Sequence, residues 1–170
     1  MRKSEPKDQQ DIKGNFEKYE SYREAWVRIK QAQENNFFLE AITIQESIIS
    51  DRLISFLSRP GASNSFAKSC GKRNFVSFHS LIQSWREEFP NGLESGKYGN
   101  LIDNVDEWRG SRNDAIHAIV KSKPGEVTKP IDIFLQEAEK VAQAGTDLAK
   151  EVCIWQKKEK RKQVSFLASV

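Results

Sequence analysis

The sequence predicts an all-α protein, a bundle of five helices, and three observations support this fold class. Apolar residues recur at spacings of three and four along most of the chain, which is the period of a helix buried on one face. No segment alternates apolar and polar residues for long enough to indicate a β-sheet. A length of 170 residues with 38% hydrophobic side chains suits one domain with a single core.

The first two helices follow from apolar spacing and from the residues that stop them. The first helix begins at Phe16, and its apolar face consists of Phe16, Tyr19, Tyr22, Trp26 and Ile29. The second covers residues 36–58 and ends before Pro60, with a face made of Leu39, Ile42, Ile49, Leu53, Phe56 and Leu57. Residues 1–14 are polar and lack periodicity, so they predict a flexible N-terminal arm, and residues 58–73 predict a loop.

Three more helices complete the predicted bundle. The third closes at Pro90 and carries Phe75, Phe78, Leu81, Ile82, Trp85 and Phe89. The fourth helix starts near Lys97 or Tyr98 and ends before Pro124. Its core-facing residues are Leu101, Val105, Trp108, Ala115 and Ile119. Pro130 opens the fifth, whose apolar stripe includes Gly145. We therefore predict a helical domain at residues 15–156 and a basic C-terminal tail at residues 157–170.

Composition narrows the classes of function. A net charge of +3 permits nucleic acid as a partner without requiring it. The basic run at residues 157–162 indicates either a solvated helix end or a phosphate-binding tail. Two distant cysteines, Cys70 and Cys153, argue against a disulfide framework or a structural zinc site. With no apolar stretch of membrane-spanning or signal-peptide length, we expect a cytoplasmic protein without membrane association.

Two charged residues interrupt the predicted core stripes. Arg112 lies almost in the middle of the apolar line of the fourth helix, and Glu46 lies within the apolar face of the second. A charge at such a position is costly unless it is paired or reaches water. We therefore expect the Glu46 carboxylate to accept hydrogen bonds from Arg112, either to orient it for function or only to set the register of the helices.

His117 lies about 140° around from Arg112 if the fourth helix is continuous, and it shares a face with Asn113 four residues earlier. Gly110 and Ser111 could instead break the helix, because Ser111 with Asp114 three residues later resembles a capping box that starts a new helix. In that case Arg112 and Asn113 would lie at a new helix N-terminus, which favours anions. The sequence leaves both arrangements open.

The run from Arg112 to His117, which includes Asn113, resembles the Arg-x4-6-His motif of the HEPN superfamily of small helical bundles. The resemblance extends over residues 16–156 in architecture and over six residues in motif. It implies a metal-independent endoribonuclease without a cofactor, acting in stress response, as a toxin or in antiviral defence. It also implies a homodimer that brings two motifs together.

In that reading Arg112 stabilises the phosphate, His117 is the general acid or base, Asn113 orients His117 or a phosphate oxygen, and Glu46 supports Arg112. Contacts to the RNA substrate are expected from Arg109, Lys121 and Lys123. A protein antitoxin or defence partner is a further expectation. However, Ile119 stands where toxins regulated by a nucleotidyltransferase carry a tyrosine, which disfavours a partner of that kind.

Two other functions remain open from the sequence. The protein could bind RNA or a nucleotide at the same motif without cleaving it, or it could be a helical interaction module that uses the long stripe of the fifth helix. His79 is interpreted as a histidine at the edge of the core, and the four tryptophans are interpreted as core residues.

Overall fold

The computed structural model describes residues 7–59, 76–118, 127 and 129–167. These ranges contain five helices, α1 to α5 in chain order: Lys7–Glu34, Phe38–Leu57, Phe78–Glu88, Leu101–Ala118 and Ile131–Leu167. Their only β feature is an isolated bridge between Ser95 and Tyr98. The prediction of an all-α bundle of five helices is confirmed for the described part of the chain.

Helix α2 is the central element of the bundle, since it packs against α1, α3 and α5 and also touches α4. Its apolar residues are therefore buried on more than one side, and Ile42, Ile49 and Leu53 are fully enclosed. The long α5 packs along α2 and α4 and closes the core. Among the described residues, no helix combines the length and the apolar character that crossing a membrane requires.

Aromatic side chains fill one end of this core. The Trp155 ring lies 4.9 Å from that of Trp85 and 4.7 Å from that of Phe56, measured between centroids. Trp85, Trp108 and Trp155 are buried as predicted, whereas Trp26 on α1 is only half-buried. Burial of three large rings explains why the helices that carry them are fixed against each other.

Local signals set three of the helix ends. Asn36 adopts a left-handed backbone (φ 60°) after α1, a common way to end a helix. Ser77 caps α3 by accepting a hydrogen bond from the Ser80 N–H at 3.1 Å. The predicted start of α4 near Lys97 or Tyr98 is wrong, because these residues form a turn and Asn100 Oδ1 accepts from the Ile102 N–H at 3.2 Å, just before α4 begins.

Helices extend past both predicted boundaries of the helical domain. Helix α1 already includes residues 7–14, which were predicted as part of an arm, and α5 continues through residues 157–167, which were predicted as a tail. Both segments are rich in Lys, Glu, Asp and Gln, and several of these residues have a high intrinsic propensity for the helix. The predictions for residues 1–6, 60–75, 119–126 and 168–170, including most of the loop, Phe75, Ile119 and the end of the fourth helix, lie outside the described residues.

Gly145 allows α5 to approach α2 and α4 closely. A Cβ added at Gly145 would lie 2.7 Å from Trp108 Cζ2 and closer still to Gln45 Oε1. Gln45 is fully buried, and its Nε2 donates to the Ala142 carbonyl and to Thr146 Oγ1, both at 2.8 Å. The glycine in the apolar stripe of α5 therefore marks the point where three helices meet.

Candidate active site

An ion pair joins α4 to α2 at the two positions where the sequence places charges in the core. The Arg112 guanidinium contacts the Glu46 carboxylate through Nη2 and Oε2. The side chains retain 24% and 19% of their exposure, so the pair is mostly buried but reaches the surface. The predicted pairing is present, and it explains how both helices tolerate a charge in their core-facing stripes.

Asn113 holds the same guanidinium from a second direction. Arg112 Nη1 donates a hydrogen bond to Asn113 Oδ1 at 2.6 Å. Arg112 Nε is buried and has no acceptor within the described ranges. With both Nη atoms engaged, the plane of the guanidinium is fixed. Asn113 therefore orients Arg112 in this structure, whereas the resemblance implied that Asn113 orients His117 or a phosphate oxygen.

Burial dominates the electrostatics of Glu46. Loss of water raises the pKa of this carboxyl group above its usual value, although the charge of Arg112 and its hydrogen bond lower the pKa in part. The charged form of Glu46 is therefore incompletely compensated by its partner. Such a site tolerates an anionic Glu46 only because Arg112 stays in place.

Helix α4 is continuous through Gly110 and Ser111, which decides between the two arrangements that the sequence allows. Ser111 Oγ donates back to the Glu107 carbonyl at 3.3 Å, so it does not cap a new helix. His117 is exposed and lies about 140° around the helix axis from Arg112. One chain therefore turns Arg112 toward α2 and His117 toward a different side of α4.

Arg109, the predicted substrate contact nearest the motif, is engaged by an acidic neighbour. Its Nε donates to Asp106 Oδ1 at 2.8 Å, and Arg86 of α3 lies 3.4 Å from the same carboxylate. Burial acts to raise the pKa of Asp106, but the hydrogen bonds and charges of Arg109 and Arg86 outweigh it and lower that pKa. Lys121 and Lys123 lie outside the described residues.

The remaining polar residues do not form a metal centre within the described ranges, where no group of three His, Cys, Asp or Glu side chains is suitably placed. Cys153 is a free, half-buried thiol, and Cys70 is not among the described residues. His79 is exposed on α3 rather than packed at the edge of the core.

A concave surface away from the Arg112 site lies between α1, α2 and α5, and we call it the α1–α2–α5 groove. It has a volume of about 870 Å³ and no lining residue from α4. It was missed because the aromatic residues of α1 were assigned to the core. The available signal was the lysines and arginines that alternate with these aromatic residues at helical spacing.

Comparisons of the chain with protein-family models, with curated proteins and with solved structures each found no match. The assignment of a function therefore depends on the geometry and chemistry of the chain itself.

Proposed function

We propose that this protein is a metal-independent endoribonuclease of the HEPN type, which acts as a homodimer in stress response or phage defence. The observation that carries the proposal is the oriented guanidinium of Arg112, held by Glu46 and Asn113 and still 24% exposed, five residues before the exposed His117. A fixed cation near a histidine suits chemistry on a phosphodiester.

The reaction is an internal transesterification. One histidine takes the proton of the ribose 2′-hydroxyl, the 2′-oxygen bonds to phosphorus, and the bond from phosphorus to the 5′-oxygen breaks. The leaving 5′-oxygen takes a proton from a general acid, so the products carry a 2′,3′-cyclic phosphate and a 5′-hydroxyl. Arg112 stabilises the negative charge that grows on the phosphate oxygens.

A second copy of the chain supplies what one copy lacks. A single histidine does not serve easily as acid and base in one step, and in one chain Arg112 and His117 diverge by about 140°. A two-fold axis beside α4 would bring His117 of one subunit toward Arg112 of the other and provide both proton-transfer groups. Arg109 would contact the RNA backbone only after its pair with Asp106 opens.

The test is incubation of purified protein with RNA in excess chelator, with analysis of the new 3′ ends. We expect cyclic-phosphate ends from the wild type and none from Arg112→Ala or His117→Ala. His79→Ala is the matched control, because His79 is the only other histidine and is also exposed. Absence of cleavage across varied RNAs, or equal cleavage by the His117→Ala protein, would refute the proposal.

Mixing the two inactive variants tests the dimer. After subunit exchange, an Arg112→Ala chain paired with a His117→Ala chain retains one intact arginine and one intact histidine, on different subunits. We expect a small recovery of cleavage above that of either variant alone, because the remaining histidine faces an intact arginine but lacks the second proton-transfer group. A monomeric mass in solution at assay concentration would contradict this arrangement.

A noncatalytic role is the second candidate, and the divergence of Arg112 from His117 favours it. The protein would then bind RNA or a nucleotide through Arg112 without forming product. This alternative predicts saturable binding that Arg112→Ala abolishes and His117→Ala leaves unchanged.

A further inference from the structure

The α1–α2–α5 groove concentrates positive charge far more than the chain as a whole. No aspartate or glutamate is among its lining residues, and six cations are: Lys18, Arg23, Lys30, Arg52, Lys157 and Lys160. This contrasts with a net charge of only +3 for the whole chain. The groove is therefore a local site of attraction for anions.

Half of these cations form no ion pair with the described residues. The other three cations form exposed ion pairs: Lys18 with Asp51 at 2.9 Å, Arg23 with Glu20 at 3.4 Å, and Lys30 with Glu34 at 3.7 Å. Such exposed pairs are weak and open readily. Arg52, Lys157 and Lys160 form no ion pair with any described residue, so no direct contact with an acid competes with a ligand for them.

Arg52 is the most firmly placed of these groups. Its guanidinium lies 3.9 Å from the centre of the Tyr22 ring, and the Tyr22 hydroxyl donates to Asp51 at 2.5 Å. Arg52 Nε is buried and has no acceptor among the described residues. A stacked guanidinium that lines the groove presents a positioned positive charge to an anion that enters it.

Aromatic surface lies beside the charge. Tyr19 and Trp26 both line the groove, seven residues apart on nearly the same face of α1, and Tyr19 is 64% exposed. From Lys18 to Lys30 the lined face of α1 extends over ~18 Å. An exposed and a half-buried ring that alternate with cations along an open groove suit a strand of stacked bases and phosphates.

Helix α5 forms the opposite wall with part of the basic run. Lys157 and Lys160, one turn apart, line the groove, whereas Lys158 does not and Lys162 pairs with Glu159 at 2.7 Å. The run thus continues a helix and directs two of its lysines at the groove.

We propose that the α1–α2–α5 groove binds single-stranded RNA, with phosphates at Arg52, Lys157 and Lys160 and bases on Tyr19 and Trp26. The groove is separate from the α4 motif and holds the strand that the motif cleaves, so the choice of RNA rests on the proposed function. Single-stranded rather than double-stranded RNA is expected, because a paired base has no free face to stack on a side chain.

Binding is measured by the fluorescence anisotropy of a labelled oligouridine of about 12 nucleotides, with His117→Ala protein so that the probe stays intact. We expect Lys157→Gln/Lys160→Gln to weaken binding about tenfold or more and to reduce the slope of log K against log salt by about 1.4. The matched control is Lys150→Gln/Lys158→Gln, which removes the same charge from exposed positions on α5 outside the groove. It should bind like the parent protein.

The aromatic contribution has its own pair of variants. Tyr19→Ala should weaken binding by about fivefold or more through loss of stacking. Phe16→Ala is the control, because Phe16 is also on α1 and equally exposed (65%) but does not line the groove.

Several outcomes would overturn the inference. Equal affinity for RNA in the groove variants and their controls would do so, as would binding that only Arg112→Ala removes. Binding to vesicles of anionic phospholipid through the same lysines, without binding to RNA, would assign the groove to a membrane surface. Loss of the proposed cleavage activity alone would leave the groove's binding measurable, so the two proposals fail separately.

Discussion

Substitution of the Glu46–Arg112 pair tests whether this contact joins α2 to α4 as the structure has it. Loss of one partner of a fully buried pair costs ~3–5 kcal/mol, and exposed pairs contribute ~1 kcal/mol or less. The two side chains are 19% and 24% exposed, and Arg112 keeps its bond to Asn113. We therefore expect Glu46→Leu and Arg112→Met each to lower the free energy of unfolding by about 2 kcal/mol.

The double variant shows how much of each loss in stability comes from the interaction between the two side chains. With both charges removed, no uncompensated group remains, so Glu46→Leu/Arg112→Met should cost about 1 kcal/mol or less. The coupling energy is then about 3 kcal/mol. Each single variant should lower the melting temperature by about 4–8 °C for a chain of this size.

Urea unfolding followed by circular dichroism and tryptophan fluorescence measures all four proteins. The exposed pair of Lys129 and Glu137, with an N–O distance of 2.7 Å and side chains 54% and 48% exposed, is the control and should couple by less than about 1 kcal/mol. If Glu46 and Arg112 couple no more strongly than this control, the reasoning about the buried pair is wrong.

Two further predictions concern packing and pH. Gly145→Ala should lower the free energy of unfolding by about 1–3 kcal/mol, because the new methyl group meets Gln45 and Trp108, which are both buried. Urea unfolding measures this loss, and an unchanged midpoint of unfolding would contradict the prediction. Asp106→Asn should be less stable than the wild type at neutral pH, and the difference should disappear as the pH falls below about 4, through the lowered pKa of Asp106.

The sign of the pH effect follows from the direction of each pKa shift. A carboxyl group whose pKa is lowered by folding stabilises the protein above its unfolded-state pKa and loses that contribution as acid is added. Glu46 behaves in the opposite way. Its raised pKa gives a contribution that is present below about pH 4 and lost as the pH rises through the folded-state value. Opposite pH profiles for Asp106→Asn and Glu46→Gln are therefore expected, and parallel profiles would contradict both assignments.

The sequence by itself determined the features that depend on the period of a helix. Apolar spacing predicted all five helices. The angle of each residue on α2 and α4 placed Glu46 and Arg112 within apolar faces, where each charge requires a partner of opposite sign. That pairing was predictable because a charge within an apolar stripe has few acceptable solutions. The homodimer and the catalytic roles of Arg112 and His117 remain predictions.

Tertiary structure decided what depends on residues far apart in the chain. The continuity of α4 at Gly110 was undecided locally, since helix propensity and a capping signal differ there by about 1 kcal/mol or less. The α1–α2–α5 groove joins Lys18 to Lys160 across most of the sequence, and no local pattern states which faces of two helices meet. Periodicity shows which side of a helix is apolar, whereas the packing of the other helices determines how much of that side is covered.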